Sequence, residues 1–123
     1  MPAVMRTVLI ADDDRHLRES LSEVLSDLGW VTRQAGNGSA AIAELIRGRC
    51  DLLLSDIDMP DMTGFQLLAW VSEHPPITPV VLMSARADDR LDREARRLGA
   101  LRLLPKPVAA TSLTALVHHL FDR

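Results

Sequence analysis

The segment LLLSDIDMPDMTG, residues 52–64, leads a run of apolar residues into a carboxylate. The three leucines at 52–54 are typical of a strand covered on both faces, because the apolar pattern is continuous rather than alternating. Asp56 follows at the tip of that strand, and Pro60 and Gly64 are turn-forming residues. A charge at the tip of a buried strand is costly unless other polar groups surround it. The segment therefore predicts that further polar side chains lie close to Asp56.

Other short apolar runs recur along the chain, separated by amphipathic segments. In order, the five runs are TVLIA (7–11), WVTRQA (30–35), DLLLS (51–55), PVVLMS (79–84) and LRLLP (101–105), of which 30–35 is the weakest. Between them, apolar residues recur at helical spacing, as at Leu17, Leu21, Val24, Leu25 and Leu28. The alternation of strand and helix predicts an α/β fold with an open, doubly wound parallel sheet. In such sheets, ligands bind outside the carboxyl ends of the strands.

Length and composition are those of one ordinary globular domain. The chain has 123 residues and a net charge of −3, so its charge balance does not favour nucleic acid as a partner. No apolar run is long enough for a membrane span, and the stretch MPAVMRTVLIADDD lacks the apolar core of a signal peptide. Cys50 is the single cysteine, which favours the reducing cytoplasm. We therefore expect a cytoplasmic protein that binds neither nucleic acid directly nor a membrane.

Four of the five predicted strands lead into a polar or ionisable residue. The first leads into Asp12, Asp13 and Asp14, the third into Asp56, the fourth into Ser84 and the fifth into Lys106. Because parallel strands end at the same edge of a sheet, these groups are expected to converge on one site. Asp14 and Asn37 each stand where a helix begins, so a helix cap is the simpler interpretation of both. Asp61 and Thr63 are expected to shape the loop into the third helix.

The residue types at this edge suit phosphoryl chemistry next to a metal ion. The carboxylates of Asp12, Asp13 and Asp56 repel one another unless a cation lies among them. Oxygen ligands without histidine or cysteine favour Mg²⁺. Asp56 is a candidate nucleophile, because a carboxylate can carry a covalent aspartyl phosphate. Lys106 offers a positive charge and Ser84 a hydroxyl to the phosphoryl oxygens. A set of loop acids without a metal is the simpler alternative, but it leaves the lysine and the hydroxyl unexplained.

Four motifs, VLIADDD, DLLLSDIDMPDMTG, PVVLMSA and LPKPV, resemble in order those of the response-regulator receiver domains of two-component signalling. The resemblance covers about residues 6–122. It implies a three-layer, doubly wound (βα)5 fold of the flavodoxin-like or CheY-like kind, with a five-stranded parallel sheet of order 2-1-3-4-5. We expect residues 1–123 to form a single receiver domain, with no effector domain in this chain. Such a domain is not an enzyme with a separate substrate; it catalyses only its own phosphorylation and autodephosphorylation.

The resemblance also implies roles for individual residues. They are phosphoacceptor for Asp56, metal-binding residues for Asp12, Asp13, Asp56 and the backbone carbonyl of Asp58, and phosphate-sensing hydroxyl and lysine for Ser84 and Lys106. The expected cofactor is Mg²⁺, and a cis peptide is expected between Lys106 and Pro107. The expected phosphoryl donor is a phosphohistidine on a sensor histidine kinase or on a histidine phosphotransfer protein.

In receivers, the fourth helix, the fifth strand and the fifth helix form the output surface, where we expect a downstream target protein to bind. The segment RADDRLDREARRLG, residues 86–99, places several arginines on one face of the fourth helix. They are Arg90, Arg93 and Arg97, and Arg102, His118 and His119 could extend the basic strip. A merely solvated face and a docking patch for an acidic partner are both open interpretations.

Two features depart from what is usual in the family. The position three residues before the lysine is usually tyrosine or phenylalanine, whereas here it is Leu103, so a switch based on an aromatic ring is in doubt. Asp58 and Arg86 stand two residues after Asp56 and Ser84. We expect an ion pair between them across the mouth of the site, where it could obstruct or orient attacking water. Two solvated charges of little consequence are the alternative.

Three other functions compete with the phosphorylation switch. The pair Asp56 and Asp58 also resembles the Asp-x-Asp of haloacid-dehalogenase-type phosphatases, but there the motif follows the first strand. A flavin mononucleotide site needs a phosphate-binding loop after the first strand, where this chain has three aspartates that would repel the phosphate. A receiver-like module that binds proteins without being phosphorylated is the remaining alternative.

Overall fold

The computed structural model describes residues 5–122. Residues 1–4 and 123, which the single-domain prediction also includes, lie outside the described residues. Five strands alternate with five helices: β1 Thr7–Ala11, α1 Arg15–Asp27, β2 Val31–Ala35, α2 Gly38–Arg47, β3 Leu52–Asp56, α3 Gly64–Ser72, β4 Val80–Ser84, α4 Asp89–Arg97, β5 Arg102–Pro105 and α5 Ala110–Phe121. All five predicted strands are confirmed, and each differs from its predicted run by at most one residue at either end.

All strand pairs in the sheet are parallel, and their spatial order is β2-β1-β3-β4-β5. The expected order is therefore confirmed. The chain runs from β1 outward to β2 and then returns to the other side of β1 for β3. This reversal leaves a crevice at the carboxyl ends of β1 and β3, the position at which open α/β sheets bind their ligands.

Two separate apolar clusters cover the two faces of the sheet. One contains Leu9 and Leu53 and packs against α2, α3 and α4, while the other contains Val8 and Leu52 and packs against α1 and α5. Successive side chains of a strand point to opposite faces, so each strand contributes to both clusters. This arrangement explains why the apolar runs are continuous. The edge strand β2 is only partly covered, in agreement with its weaker pattern.

Two of the helices begin at the caps that the sequence predicts. The side chains of Asp14 and Asn37 cap α1 and α2 by accepting from the N–H groups of Leu17 and Ala40, as predicted. The turns after α1 and α4 contain Gly29 and Gly99 with φ of +92° and +111°, a conformation that glycine adopts without strain. No helix among residues 5–122 has the length and apolarity that crossing a membrane requires.

Candidate functional site

The register of the sheet brings the polar strand ends to one edge. Ala11 at the end of β1 lies opposite Ser55, one residue before Asp56, and Asp56 lies opposite Met83, one residue before Ser84. Lys106 follows directly after the end of β5. The sheet thus gathers four side chains from distant parts of the chain around the β1–β3 crevice.

Three carboxylates form the centre of this group. Oxygen atoms of Asp12, Asp13 and Asp56 lie within 4.8 Å of one another. Asp12 and Asp56 are buried, whereas Asp13 is exposed. Burial raises the pKa of Asp56, and the negative charge of Asp12 adds to this effect against the opposing influence of Lys106. The cluster therefore holds negative charge in a place that solvates it poorly.

Lys106 compensates part of that charge. Its Nζ lies 2.7 Å from Asp12 Oδ2 and 3.0 Å from Asp56 Oδ2. Burial disfavours the ammonium form, but the two carboxylates outweigh it, so the pKa of Lys106 is raised and the side chain stays charged at neutral pH. One cation against three carboxylates still leaves an excess of negative charge.

The donor set fits a hard divalent cation such as Mg²⁺. Asp12 Oδ2 is buried and accepts no well-aligned hydrogen bond; its 2.7 Å contact with Lys106 Nζ is an ion pair without hydrogen-bond geometry. A buried carboxylate oxygen that accepts no well-aligned hydrogen bond, beside two further carboxylates, has the charge and the free lone pair that such a cation needs. All the clustered ligand atoms are oxygens, which favours magnesium over zinc or copper.

Local turns fix the two buried carboxylates. The Asp14 N–H donates to Asp12 Oδ1 at 2.9 Å, and the Asp58 N–H donates to Asp56 Oδ1 at 3.2 Å. Arg18 adds a contact that sequence reasoning missed, because its Nη1 donates to the backbone carbonyl of Asp12 at 2.6 Å. Nothing in the local pattern of α1 distinguishes this arginine from a solvated one.

Ser84 is buried at the end of β4, and its Oγ accepts a hydrogen bond of 3.0 Å from the Arg86 N–H. The side chain of Arg86 reaches across the mouth to Asp58, and its Nη2 lies 3.1 Å from each carboxylate oxygen. The expected contact between Asp58 and Arg86 is therefore present. Both side chains are exposed, 77% for Arg86 and 56% for Asp58, so solvent screens the pair. Its effect on phosphoryl lifetime stays a prediction.

The residue in the usual aromatic position is part of the core. Leu103 is buried and lies opposite Leu82 in the β4–β5 pair, within the cluster under α4. It has no exposed ring that could swing inward. The Lys106–Pro107 peptide is cis, and so is the Pro75–Pro76 peptide.

Two side chains of the loop between β3 and α3, Asp61 and Thr63, are predicted from the sequence to shape the loop into α3. Thr63 does so, in a capping box with Gln66. Asp61 instead binds the first turn of α2, where the N–H groups of Gly38 and Ser39 donate to its two carboxylate oxygens, each at 2.8 Å. The reason is tertiary, since folding brings the start of α2 beside this loop.

The arginines on α4 are partly neutralised within the helix. Arg97 pairs with Glu94 at 2.7 Å, and Arg96 pairs with Asp92 at 3.0 Å. Within residues 5–122, Arg90 and Arg93 form no ion pair with a carboxylate. The fourth helix therefore presents fewer free positive charges than its sequence suggests.

Comparison with known proteins agrees with this geometry. The family model for the response regulator receiver domain matches residues 8–118. A response regulator receiver protein of Anaeromyxobacter is 42% identical over 106 residues, which are 85% of this chain and 44% of the relative. The regulator FleR of Pseudomonas aeruginosa is 40% identical over 110 residues, 89% of this chain and 23% of the relative.

A solved structure and a further relative found by sequence are similar to this chain as well. The chemotaxis response regulator CheY4 of Vibrio cholerae superposes with a TM-score of 0.89 at 28% identity, covering 96% of this chain and all of that one. The DNA-binding transcriptional regulator NtrC of Azospirillum brasilense is 34% identical over 90% of this chain. The chain spans 23% of that relative and less than half of the Anaeromyxobacter protein. Sequence and fold thus agree that this chain belongs to the response regulator receiver domain family of two-component signalling.

Proposed function

We propose that this chain is a phosphoacceptor switch that takes a phosphoryl group onto Asp56 from a phosphohistidine. The observation that carries the proposal is the convergence of three carboxylates with Lys106 at one edge of the sheet. A structural role does not call for this arrangement, because burying like charges together lowers stability unless a ligand compensates for them. A phosphoryl group and a cation together supply that compensation.

In the proposed step, a carboxylate oxygen of Asp56 attacks the phosphorus atom of the donor. The new O–P bond forms as the P–N bond breaks, and the imidazole nitrogen of the donor keeps the bonding pair and is then protonated. Lys106 Nζ already lies 3.0 Å from Asp56 Oδ2, which places its charge beside the oxygens of the incoming group. Later attack by water on the acyl phosphate releases inorganic phosphate and restores the carboxylate.

Asp12, Asp13, Asp56 and the backbone carbonyl of Asp58 are the groups that would hold Mg²⁺. When bound, the ion would neutralise charge on the phosphoryl oxygens during transfer. The protein itself positions the groups that would hold the ion. Arg18 donates to the Asp12 carbonyl, and Lys106 contacts the carboxylates of Asp12 and Asp56.

In this proposal, Ser84 and Lys106 transmit the phosphorylation of Asp56 to the rest of the domain. Ser84 Oγ accepts from the Arg86 N–H, so movement of Ser84 toward a phosphoryl oxygen would pull on the loop that begins α4. Leu103 underlies that region as a buried apolar residue, and we expect it to repack rather than swing in. The target would bind the face formed by α4, β5 and α5.

Asp58 and Arg86 would set the lifetime of the acyl phosphate. Their ion pair lies 3.1 Å apart at the mouth of the site, where it would obstruct or orient an attacking water. We further propose that residues 1–123 act as one receiver unit in the cytoplasm, with a sensor histidine kinase or a histidine phosphotransfer protein as the donor. Its relatives are longer regulators, so the output depends on what this unit contacts.

The proposal is tested by intact-mass measurement after incubation with acetyl phosphate and Mg²⁺. We expect a gain of one phosphoryl group in the wild type and no gain in Asp56→Asn, which keeps the shape of the side chain but removes the nucleophilic carboxylate. A wild-type protein that gains no mass, or binds no Mg²⁺, would favour a receiver-like binding module that works without phosphorylation. Equal gain in both proteins would place the modification elsewhere.

A further inference from the structure

The loop between β3 and α3 is attached to a neighbouring helix at two points. Asp61 accepts hydrogen bonds of 2.8 Å from the N–H groups of Gly38 and Ser39, at the start of α2. The next residue, Met62, covers the same place so closely that a Cβ on Gly38 would lie 2.1 Å from its Cγ. A hydrogen-bonded clamp and a packed side chain thus hold the loop against α2.

The same loop is closed on itself at its two ends. Asp58 and Thr63 form an antiparallel bridge, and the Gly64 N–H donates to the Ile57 carbonyl at 2.7 Å. The loop therefore behaves as one small closed unit. Its contacts with α2 through Asp61 and Met62 add an attachment to a neighbouring helix.

We infer that Asp61 is a positioning residue for the metal site: by clamping the β3–α3 loop to α2, it holds the backbone of Asp58 where its carbonyl can serve as a ligand. The inference rests on the proposed function, because that function includes the metal. Asp61 does not belong to the carboxylate cluster and acts through the backbone of its loop. Helix N-termini favour anionic partners, so the clamp stabilises the carboxylate form. The pKa of Asp61, lowered to about 2 by hydrogen bonds from Ser39 and Gly38, agrees with this.

The test compares Asp61→Ala with Asn37→Ala in the full chain. Asn37 caps the same first turn of α2, where its side chain accepts from the Ala40 N–H at 2.7 Å, but it does not belong to the β3–α3 loop. Both variants weaken the start of α2, and only Asp61→Ala frees the loop. Isothermal titration with MgCl2 gives the dissociation constant of Mg²⁺, and urea unfolding gives the stability of each variant.

We expect Asp61→Ala to weaken Mg²⁺ binding about tenfold, the usual size of an effect from a residue that orients a metal ligand. Asn37→Ala should stay within about twofold of the wild type at a comparable loss of stability. With acetyl phosphate, Asp61→Ala should need about tenfold more Mg²⁺ for half-maximal phosphorylation and reach the wild-type rate at saturation. Asp61→Asn retains one acceptor oxygen and should fall between Asp61→Ala and the wild type.

Loss of a negative charge could also weaken cation binding through space. Titration at about 0.15 M and at about 0.5 M KCl separates this charge effect from displacement of the Asp58 backbone. Salt screens an exposed charge, whereas it does not return a displaced backbone to its place. The inference is overturned if the tenfold difference disappears at high salt, if Asn37→Ala weakens Mg²⁺ binding equally, or if Asp61→Ala binds like the wild type. A wild type that binds no Mg²⁺ would overturn the proposed function and this inference together, whereas the three other outcomes leave the proposed function standing.

Discussion

Replacement of Gly64 by alanine should damage both stability and phosphorylation. A Cβ at Gly64 would lie 2.5 Å from the carbonyl oxygen of Asp56 and 2.9 Å from Ile57 Cα. Both are backbone atoms of the segment that carries the phosphoacceptor, so no flexible side chain can move aside. To reach an ordinary contact, the closest distance must grow from 2.5 Å to at least 3.4 Å. Either β3 or the start of α3 has to shift by that amount.

The expected cost follows from two opposing terms. Overpacking against well-packed neighbours costs about 1–3 kcal/mol, and a backbone neighbour places Gly64→Ala near the upper end. Alanine at the first residue of α3 recovers at most about 1 kcal/mol through its higher helix propensity. We therefore expect the free energy of unfolding to fall by about 2 kcal/mol. Displacement of a reacting group by 1 Å can cost about 100-fold in rate. Because only part of the backbone shift at Gly64 should reach Asp56, we expect phosphorylation to slow by about tenfold.

Gly36→Ala is the matched control. A Cβ there would meet only the guanidinium group of Arg18, with Nη1 at an ordinary 3.5 Å and Cζ at 3.9 Å, and Gly36 does not need a positive φ. Its unfolding free energy should change by less than about 1 kcal/mol, toward higher stability. Urea unfolding and the rate of mass gain with acetyl phosphate measure both effects. Wild-type stability of Gly64→Ala would refute the steric argument, and lost stability with a wild-type rate would mean that α3 moves and Asp56 does not.

Three further predictions concern the mouth of the site, the loop clamp and the switch position. Asp58→Asn and Arg86→Ala should each change the decay rate of the phosphorylated protein, followed by intact mass, at least about twofold. Because the pair is exposed, each variant should keep its unfolding free energy within about 0.5 kcal/mol of the wild type. An unchanged decay rate in both variants would rule out control by the ion pair. The folded-state pKa of Asp61, about 2, is depressed, so its stabilisation is complete above its unfolded pKa near 3.9 and is lost as pH falls through about 2. The urea midpoints of wild type and Asp61→Asn should therefore converge between about pH 4 and pH 2, and a constant gap would contradict the assignment. Because Leu103 is already buried, its methyl resonances should shift only modestly when a phosphoryl analogue binds; inward movement like that of an aromatic ring would contradict this expectation.

Much of the fold could be read from the chain because its signals are local. The run 52–54 is continuously apolar because the strand contributes to a cluster on each face of the sheet. Three consecutive leucines in the sequence are enough to indicate that requirement. Helix caps are equally local, since Asp14 and Asn37 reach only three residues along the chain. The convergence of Asp56 and Lys106 followed from one rule, that parallel strands end at the same edge.

What the sequence alone could not determine depends on pairs that are distant in sequence and obey no pattern of spacing. Asp61 accepts from the Ser39 N–H across 22 residues of sequence, and no local pattern predicts that contact. Lys106 and Asp12 follow β5 and β1, which are separated in the sheet by β3 and β4, so only the folded sheet brings Lys106 Nζ within 2.7 Å of Asp12 Oδ2. Residue types and their order determined which groups gather at the site. Only the packing of helices against the sheet decided which of them touch, because a side chain's partners depend on distances that no single segment contains.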